Sequence, residues 1–547
     1  MKRVILYAVI FVIFASSGVY AGQFFLYLPD ESNFVKPVKI IRLDVGEDEF
    51  EYVQINCKLN QDKGYQVINY SLDISNGFTG KAELLFERDY RIYPLSKPIV
   101  VRANKDNVIW IKFDFHNTKP GEYKFVLKAE SKTAGKYSAE LDVTVWPIKL
   151  PQPENVYVNS FWSSFCCIFG EGKLYSNVRD EKKMLKLWDA CLSDMENWGQ
   201  NFLEIRFITP EVIRPFIKVK EFREGYLPVL DLSRWHLIIE PARKHKMEHI
   251  IFRYGFVCKD WLPKGYKGFS ESKKDEIKFF VLGQLIKYLK AKGFKRIFWY
   301  LIDEIQPYAK EIVPVCETMS KYRKRFPELE FSGSGFAHIP LHESHGGKWK
   351  GMQDMANYLT WIAPYWAVHS NFVWMRTGEM KLLPDTIIAT QISADHKDKY
   401  ESKRRFCWLI WRAGCNGYQI YGYHTFYAGD KYSPVFRDTQ LKHPIHSPCY
   451  FGLVDGYEDF AYLHFASQIS NKLQSSGQRA KLKSFRNELE KIISDKSNLL
   501  KIKYKPAAYY DRGRTQIPYL TSSSEKIREA RGKLLFLLSK FSRKLVK

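Results

Sequence analysis

Hydrophobic and polar positions keep one rhythm up to about residue 147 of this 547-residue chain and another beyond it. The first stretch is a series of short runs, several strictly alternating: 24–28, 38–42, 51–55, 100–102, 108–113, 122–127 and 140–146. Period-two alternation marks a strand with one buried face. Gly46, Asn76-Gly77 and Pro120-Gly121 punctuate the runs as turns, and such spacing predicts a β-sandwich over residues 22–147. Trp146 to Pro153 holds three prolines and reads as a stiff linker. Beyond it, apolar runs alternate with helical spacing. Strands are predicted at 156–162, 202–208, 249–255, 294–302, 329–333, 358–363, 386–392 and 417–421. Helices are predicted at 181–198, 235–246, 277–292, 309–326, 371–382, 399–413 and 457–470. Eight strands alternating with helices predict a (β/α)8 TIM barrel over 154–474. Residues 475–547 show helical patterns at 484–493 and 524–541 around a Pro/Tyr/Gly interruption at 506–519, and are expected to form a basic helical extension packed on the barrel. The predicted fold class is multidomain: a β-sandwich, a (β/α)8 barrel and a helical extension.

The fourth barrel strand carries the candidate chemistry. Gly293 closes the preceding helix, Ile297 to Ile302 form a continuous apolar run as expected of a strand covered on both faces, and Asp303 and Glu304 end it. Catalytic residues of such barrels lie at the C-terminal ends of strands. An isolated Asp-Glu pair more often ends a strand or caps a helix, so the setting has to carry the functional reading.

Composition narrows the setting. Aromatic content of 16%, with 14 Trp and 34 Tyr, suits sugar-stacking platforms, although most rings must be core. Lys2-Arg3, the apolar stretch Val4 to Phe14 and Val19-Tyr20-Ala21 read as a secretory signal over residues 1–21, cleaved near Ala21, which predicts a periplasmic or extracellular protein. No Cys closely follows it, arguing against a lipid anchor, and no later stretch resembles a membrane span. The nine Cys include no CxxC and no zinc spacing, so no metal or cofactor is expected; Cys166, Cys167, Cys258, Cys316 and Cys407 read as buried thiols. Net charge is +24, of which residues 471–547 carry +14. Without a nucleic-acid motif this excess fits attraction to an anionic glycan at least as well as to nucleic acid.

Acids ending strand four suggest glycoside hydrolysis, in which a protonated carboxyl supplies the departing oxygen with a proton. The retaining scheme needs a second carboxylate from another strand. Strand seven ends in Gln391-Ile-Ser-Ala-Asp395-His396, with no Glu. Adjacent Asp and Glu suit the substrate-assisted variant, where the sugar's own 2-acetamido oxygen attacks the anomeric carbon. Asp303 would orient the acetamide N–H and Glu304 would act as general acid, then base. Repulsion within the pair would keep one carboxyl protonated near neutrality.

Three stretches resemble glycoside hydrolase family 123: Tyr300-Leu-Ile-Asp-Glu304, residues 405–417 with Trp408 and Trp411, and Val454-Asp-Gly-Tyr-Glu-Asp-Phe-Ala-Tyr-Leu463. The resemblance spans roughly residues 25–470. It implies a β-N-acetylgalactosaminidase whose Asp-Glu pair is Asp303 and Glu304. The chain departs from the family pattern at Ile305 (usually Pro), Val454 (usually Arg) and Tyr421 (usually Trp). Further rim candidates for substrate binding are Asn159 and Trp162 on strand one, Arg206 on strand two, Trp361 and Tyr365 on or after strand six, and Tyr421 and Tyr423 after strand eight beside His424. For any one ring, core packing is an equal reading. His338, His342 and His345 read as a polar loop. Asp455, Glu458 and Asp459 read as acids at a helix start, explained by capping. The expected activity is a retaining β-N-acetylhexosaminidase acting on a glycan. Its rivals are a lapsed enzyme that only binds carbohydrate, and a glycosidase for sugars lacking the acetamide.

Overall fold

Among the described residues the N-terminal part forms ten strands: β1 (Phe24–Tyr27), β2 (Ile40–Glu47), β3 (Phe50–Leu59), β4 (Tyr65–Asp73), β5 (Lys81–Arg88), β6 (Arg91–Pro94), β7 (Ile99–Arg102), β8 (Asn107–Asp114), β9 (Gly121–Ser131) and β10 (Gly135–Lys149). The computed structural model describes residues 24–28, 39–59, 64–103, 107–152, 155–160, 180–206, 216–253, 261–305, 312–335, 365–369, 387–392, 400–412, 414–420, 434–436, 444–493, 502–506, 516–520 and 524–545. The strands make two five-stranded sheets, ordered β1-β3-β8-β5-β6 and β2-β10-β9-β4-β7. Alternation decides which side chains turn inward. On β9 Tyr123, Phe125, Leu127 and Ala129 are buried while Glu122 and Lys124 face out. Residues from both sheets, among them Val53, Ile111 and Phe113 of one and Leu43, Phe125 and Val143 of the other, belong to a single apolar core.

Strands β4, β5 and β6 were not anticipated, because their outward faces mix polar and apolar residues and blur the period. Gly46, expected as a turn, lies inside β2. Trp146 to Lys149, expected as linker, continue β10, which runs parallel to β2. Pro147 needs no ladder donor where the register slips between Val145 and Lys149.

The second part of the chain contributes eight parallel strands: β11 (Tyr157–Ser160), β12 (Phe202–Arg206), β15 (His249–Arg253), β16 (Arg296–Ile305), β17 (Leu329–Gly335), β18 (Tyr365–His369), β19 (Ile387–Ile392) and β20 (Gly417–Ile420). Between β12 and β15 a hairpin intervenes, β13 (Lys218–Arg223) with β14 (Leu227–Asp231). Chain order is spatial order from β12 through β20, and β11 pairs with β20. Between β11 and β12 the amide of Asn201 stands in for a strand ladder. Val158 N–H donates to Asn201 Oδ1 (3.0 Å), and Asn201 Nδ2 donates to the Val156 carbonyl (2.7 Å). Helices α1 (Glu181–Asn197), α2 (His236–Lys244), α3 (Glu271–Ala291), α4 (Ile312–Arg325) and α5 (Tyr400–Arg412) lie between strands. The turn from α3 into β16 shows how sequence sets geometry. Gly293 adopts φ 84°, its N–H reaches the Lys290 carbonyl (3.0 Å) and Phe294 N–H reaches that of Leu289 (3.2 Å). This paired closure requires a left-handed residue, so glycine sits there.

Two short pairs follow, β21 (Val435–Phe436) with β22 (Ile445–His446), then α6 (Pro448–Ser475), α7 (Arg479–Ile493), the hairpin β23 (Ile502–Pro506) with β24 (Gln516–Leu520), and α8 (Ser524–Leu545). The chain divides into two compact units: Met1–Gln152 with Phe465–Leu499 and Ser522–Lys547, and Pro153–His464 with Leu500–Thr521. Helices α7 and α8 therefore belong with the β unit, whereas the hairpin β23–β24 between them belongs with the α/β unit. Helix α8 packs on β2 and β10 through an apolar stripe that includes Ile527, Leu534 and Leu538. Its Arg531 is buried between Glu49 (2.6 Å) and Glu51 (3.1 Å), both on the sheet side. Among the described residues no helix is long and apolar enough to cross a membrane, and residues 1–21 lie outside them.

Candidate active site

The lower part of the parallel sheet is aromatic. On β16, Trp299 turns outward against Tyr322 of α4 (rings 4.7 Å apart), whereas Phe298 and Tyr300 form a cluster with Tyr157, Phe202 and Ile251. Arg296 lies beneath. Its guanidinium donates to Glu330 of β17 (2.7 Å) and to the Tyr157 hydroxyl (2.8 Å), and stacks over the Tyr157 and Phe298 rings. His249 of β15 packs against Phe202 and Tyr157. Burial, reinforced by Arg296, Lys295 and Arg243, lowers its pKa to about 3, so the imidazole is neutral.

Toward the strands' C-terminal ends the residues become polar. Asp303 and Glu304 lie on β16, which runs on to Ile305 rather than stopping before the acids. The pairing of β16 with β17 is regular as far as Tyr300 with Ser332. It then slips twice, between Tyr300 and Ile302 and between Ile302 and Ile305. In a regular strand adjacent side chains go to opposite faces; an extra residue breaks that rule and re-aims its neighbours. The acids therefore sit on a stretch where strict alternation does not hold.

Asn159 on β11 and Gln419 on β20 are register partners, both fully buried, and neither amide has a hydrogen-bond partner for its oxygen or nitrogen. The hydroxyls of Ser160 and Ser332 are in the same condition. A buried polar atom left unpaired costs about 1–3 kcal/mol, so two adjacent amides in this state call for a polar ligand or ordered water. Glu204 of β12 is also buried. Sequence reasoning found Asn159 but missed Gln419 and Glu204. The available signal was a lone polar residue inside an apolar strand, Gly417-Tyr-Gln-Ile420 and Phe202-Leu-Glu-Ile205.

Of the other candidates, Arg206 ends β12 and is the register partner of Arg253 on β15, which in turn partners Tyr300. Tyr365 opens the sixth strand instead of following it, because the strand is Tyr365–His369 and not 358–363. Pro364, which cannot donate to a central ladder, immediately precedes that start. Tyr365 pairs in register with Ser332, the partner of Tyr300, three residues before Asp303, and His369 holds the C-terminal position of β18. Trp162, Trp361, Tyr421, Tyr423, His338, His342, His345, Asp395, His396 and His424 lie outside the described residues. Of the thiols, Cys407 is free and buried as expected; Cys166, Cys167 and Cys258 fall outside the described residues.

Asp455, Glu458 and Asp459 do not cap a helix. Helix α6 begins at Pro448, so all three lie in its interior, and all are buried. Asp459 accepts from Arg404 Nε (2.9 Å) and Trp408 Nε1 (2.9 Å) of α5. Asp455 faces Arg404 (3.4 Å) and accepts from the Tyr400 hydroxyl. Four-residue spacing on both helices stacks these partners in register. Gly452 and Gly456 make the close approach possible. A Cβ at Gly452 would lie 2.2 Å from the Tyr400 carbonyl oxygen, and one at Gly456 2.8 Å from the Cys407 sulfur.

The chain is similar in fold to a family 123 glycoside hydrolase from Clostridium perfringens, described for glycolipid glycan hydrolysis. Identity is 12%, the TM-score 0.62, and the match covers 96% of this chain and 99% of that one. At that identity the likeness concerns the fold: a multidomain protein with a β-rich part and an α/β part. The GH5 xyloglucanase of Bacteroides ovatus (8% identity, 79% of this chain and 100% of that one, TM-score 0.26) is too distant to bear on the argument. So is a cycloisomaltooligosaccharide glucanotransferase of Paenibacillus (8% identity, 71% and 54%, TM-score 0.22). No family model matches the sequence, and no curated protein does.

Proposed function

We propose that the protein is a secreted glycoside hydrolase, built as a β-sandwich followed by a (β/α)8 barrel, that cleaves β-linked N-acetylhexosaminides, N-acetylgalactosaminides first among them. The observation that carries this reading is the adjacent Asp303 and Glu304 on the irregular end of the fourth of eight parallel strands. The fold-level likeness to a family 123 glycoside hydrolase supports it. In this mechanism Asp303 accepts the acetamide N–H and turns the acetamide oxygen toward C1. That oxygen attacks C1 as the glycosidic C1–O bond breaks, and Glu304 gives its proton to the departing oxygen. Glu304 then takes a proton from water, which opens the oxazolinium at C1 with overall retention. Asn159 and Gln419 offer donors and acceptors to sugar hydroxyls, and Arg206, Trp162 and the rings at Trp361, Tyr421 and Tyr423 complete the substrate-binding set. Tyr365, in register with Ser332 and through it with Tyr300, belongs to the same set.

The test is release of 4-nitrophenol from the β-N-acetylgalactosaminide and β-N-acetylglucosaminide by wild type, Glu304→Gln and Asp303→Asn. Loss of a general acid–base group lowers turnover by about 10²–10⁴-fold, and both variants are expected in that range. Wild-type rates surviving in either variant would overturn the assignment. Turnover confined to glycosides lacking the acetamide would overturn the substrate-assisted step.

A further inference from the structure

The hairpin β13–β14 lies in the connection that leaves the C-terminal end of β12. Gln284 of α3 holds its base: Leu230 N–H donates to Gln284 Oε1 (2.8 Å) and Gln284 Nε2 donates to the Pro228 carbonyl (2.8 Å). Its tip, Glu224–Tyr226, reaches Lys273 in the first turn of α3, where a Cβ on Gly225 would stand 2.8 Å from Lys273 Nζ. Because α3 runs back from the end of β15 to the start of β16, its first turn marks the C-terminal end of the strands. The tip is therefore on the end that carries Asp303 and Glu304.

Aromatic rings gather there. Tyr226 is 62% exposed and Phe222 48% exposed. The Tyr226 ring lies 6.2 Å from Phe269, which lies 6.3 Å from Tyr266, both on the connection that follows β15. Tyr226 also has φ 62°, a left-handed conformation that is costly for a residue with a bulky side chain. Gly225 and Tyr226 are successive left-handed positions of the hairpin turn, as Asp89 and Tyr90 are between β5 and β6, and the turn leaves most of the Tyr226 ring in water. The neighbouring loop reads Lys264-Gly-Tyr266-Lys267-Gly-Phe269 with both lysines exposed; the nearby acids are Glu224 on the tip, exposed, and Glu271, which is paired with Lys274 (2.7 Å). On the hairpin itself Arg223 is already beside Glu221 (3.7 Å).

We infer that Phe222, Tyr226, Tyr266 and Phe269 form a ledge that binds the glycan chain beyond the cleaved bond, with Lys264 and Lys267 favouring a chain bearing carboxylate or sulfate groups. Ring faces stack on the apolar C–H face of a pyranose, and ammonium groups pair with its anionic substituents. The inference rests on the hydrolase reading, because it needs a glycan entering from the end of the acids.

The experiment is calorimetric titration of the full chain carrying Glu304→Gln, which slows turnover, with a chondroitin sulfate hexasaccharide and with neutral hexa-N-acetylchitohexaose. Adding Phe222→Ala and Tyr226→Asn is expected to weaken binding of both probes about tenfold, the scale of one or two lost ring contacts. Adding Lys264→Ala and Lys267→Ala is expected to weaken the sulfated probe alone. Tyr226→Asn by itself is expected to melt no lower than the parent, since Asn tolerates the left-handed turn. Affinities within twofold of the parent for the ring variants would overturn the ledge, as would a lowered melting temperature for Tyr226→Asn, which would make the ring structural. No binding of either probe by the parent would overturn it too. The 4-nitrophenyl assay on wild type, which engages no chain beyond one sugar, reports separately whether the hydrolase reading stands.

Discussion

His249 illustrates how position rather than residue type determines a role. A histidine at the start of a strand in a presumed enzyme invites a catalytic reading, yet this one sits under the aromatic cluster beside Arg296, at the opposite end from the acids. Burial first, then the nearby cations Arg296, Lys295 and Arg243, hold its pKa near 3 against an ordinary value of 6.5. The folded state thus binds fewer protons than the unfolded chain between those values. Its stabilising contribution is complete above pH 6.5 and is lost progressively as pH falls toward 3. His464, pushed by burial to about 4, acts with the same sign. Urea unfolding midpoints measured from pH 7 down to 4 should therefore fall less steeply in His249→Phe than in wild type. The difference in slope approaches ~1.4 kcal/mol per pH unit where only the unfolded histidine is charged. Parallel slopes would show that His249 titrates normally in the folded protein.

The α5–α6 pair carries the most specific sequence motif outside the acids, and its meaning emerges only from packing. Gly452, Asp455, Gly456 and Asp459 look like a turn followed by a helix start, because glycine in a helix interior costs about 1 kcal/mol relative to alanine. The helix runs through them from Pro448, since the glycines admit α5 at close range and the acids meet Arg404 and Trp408. Replacing Arg404 by Met leaves two buried carboxylates without their shared guanidinium and should cost about 3–5 kcal/mol. Chemical denaturation would measure it; a loss under 1 kcal/mol would mean the acids find other cations. Elements with one strong period, such as the strands ending in Arg206, Arg253 and Ile305, were legible to within a few residues. The hairpin Lys218–Asp231 was not, because β13 is largely exposed and only the five residues of β14 alternate between buried and half-buried positions. Strand six was misplaced because the apolar run before Pro364 looks more strand-like than Tyr365–His369. At the proposed site, Asp303, Glu304 and Asn159 could be read from chain position, whereas Gln419, a lone polar residue in an apolar strand, stands out once it is the register partner of Asn159.

The distribution of charge over the whole chain bears on the C-terminal part. A segment with so large an excess of Lys and Arg suggests a solvated tether for an anionic glycan. In the folded protein α8 is instead an element of the β unit, with a buried apolar stripe and Arg531 enclosed by Glu49 and Glu51. Asp44 adds a third acid, its pKa raised by burial although it accepts from Trp146 Nε1 (2.8 Å), and Gly532 passes directly over it. Deleting residues 524–547 would remove the cation from this acidic pocket and uncover the sheet between β2 and β10. We expect calorimetry to show the β unit unfolding at lower temperature, with a loss of at least the ~3–5 kcal/mol of a broken buried pair. A trace identical to that of the full chain would restore the appended-helix reading. The outer cations can be tested separately, because Lys533 and Lys540 are exposed and their ion pairs with Glu529 (2.5 Å) and Glu488 (3.2 Å) face solvent, where such pairs add little stability. Changing both to Gln should leave the melting temperature unchanged. If the basic surface also tethers the protein to acidic polysaccharide, the same variant elutes from a heparin column at lower salt. Unchanged elution would assign α8 to stability alone.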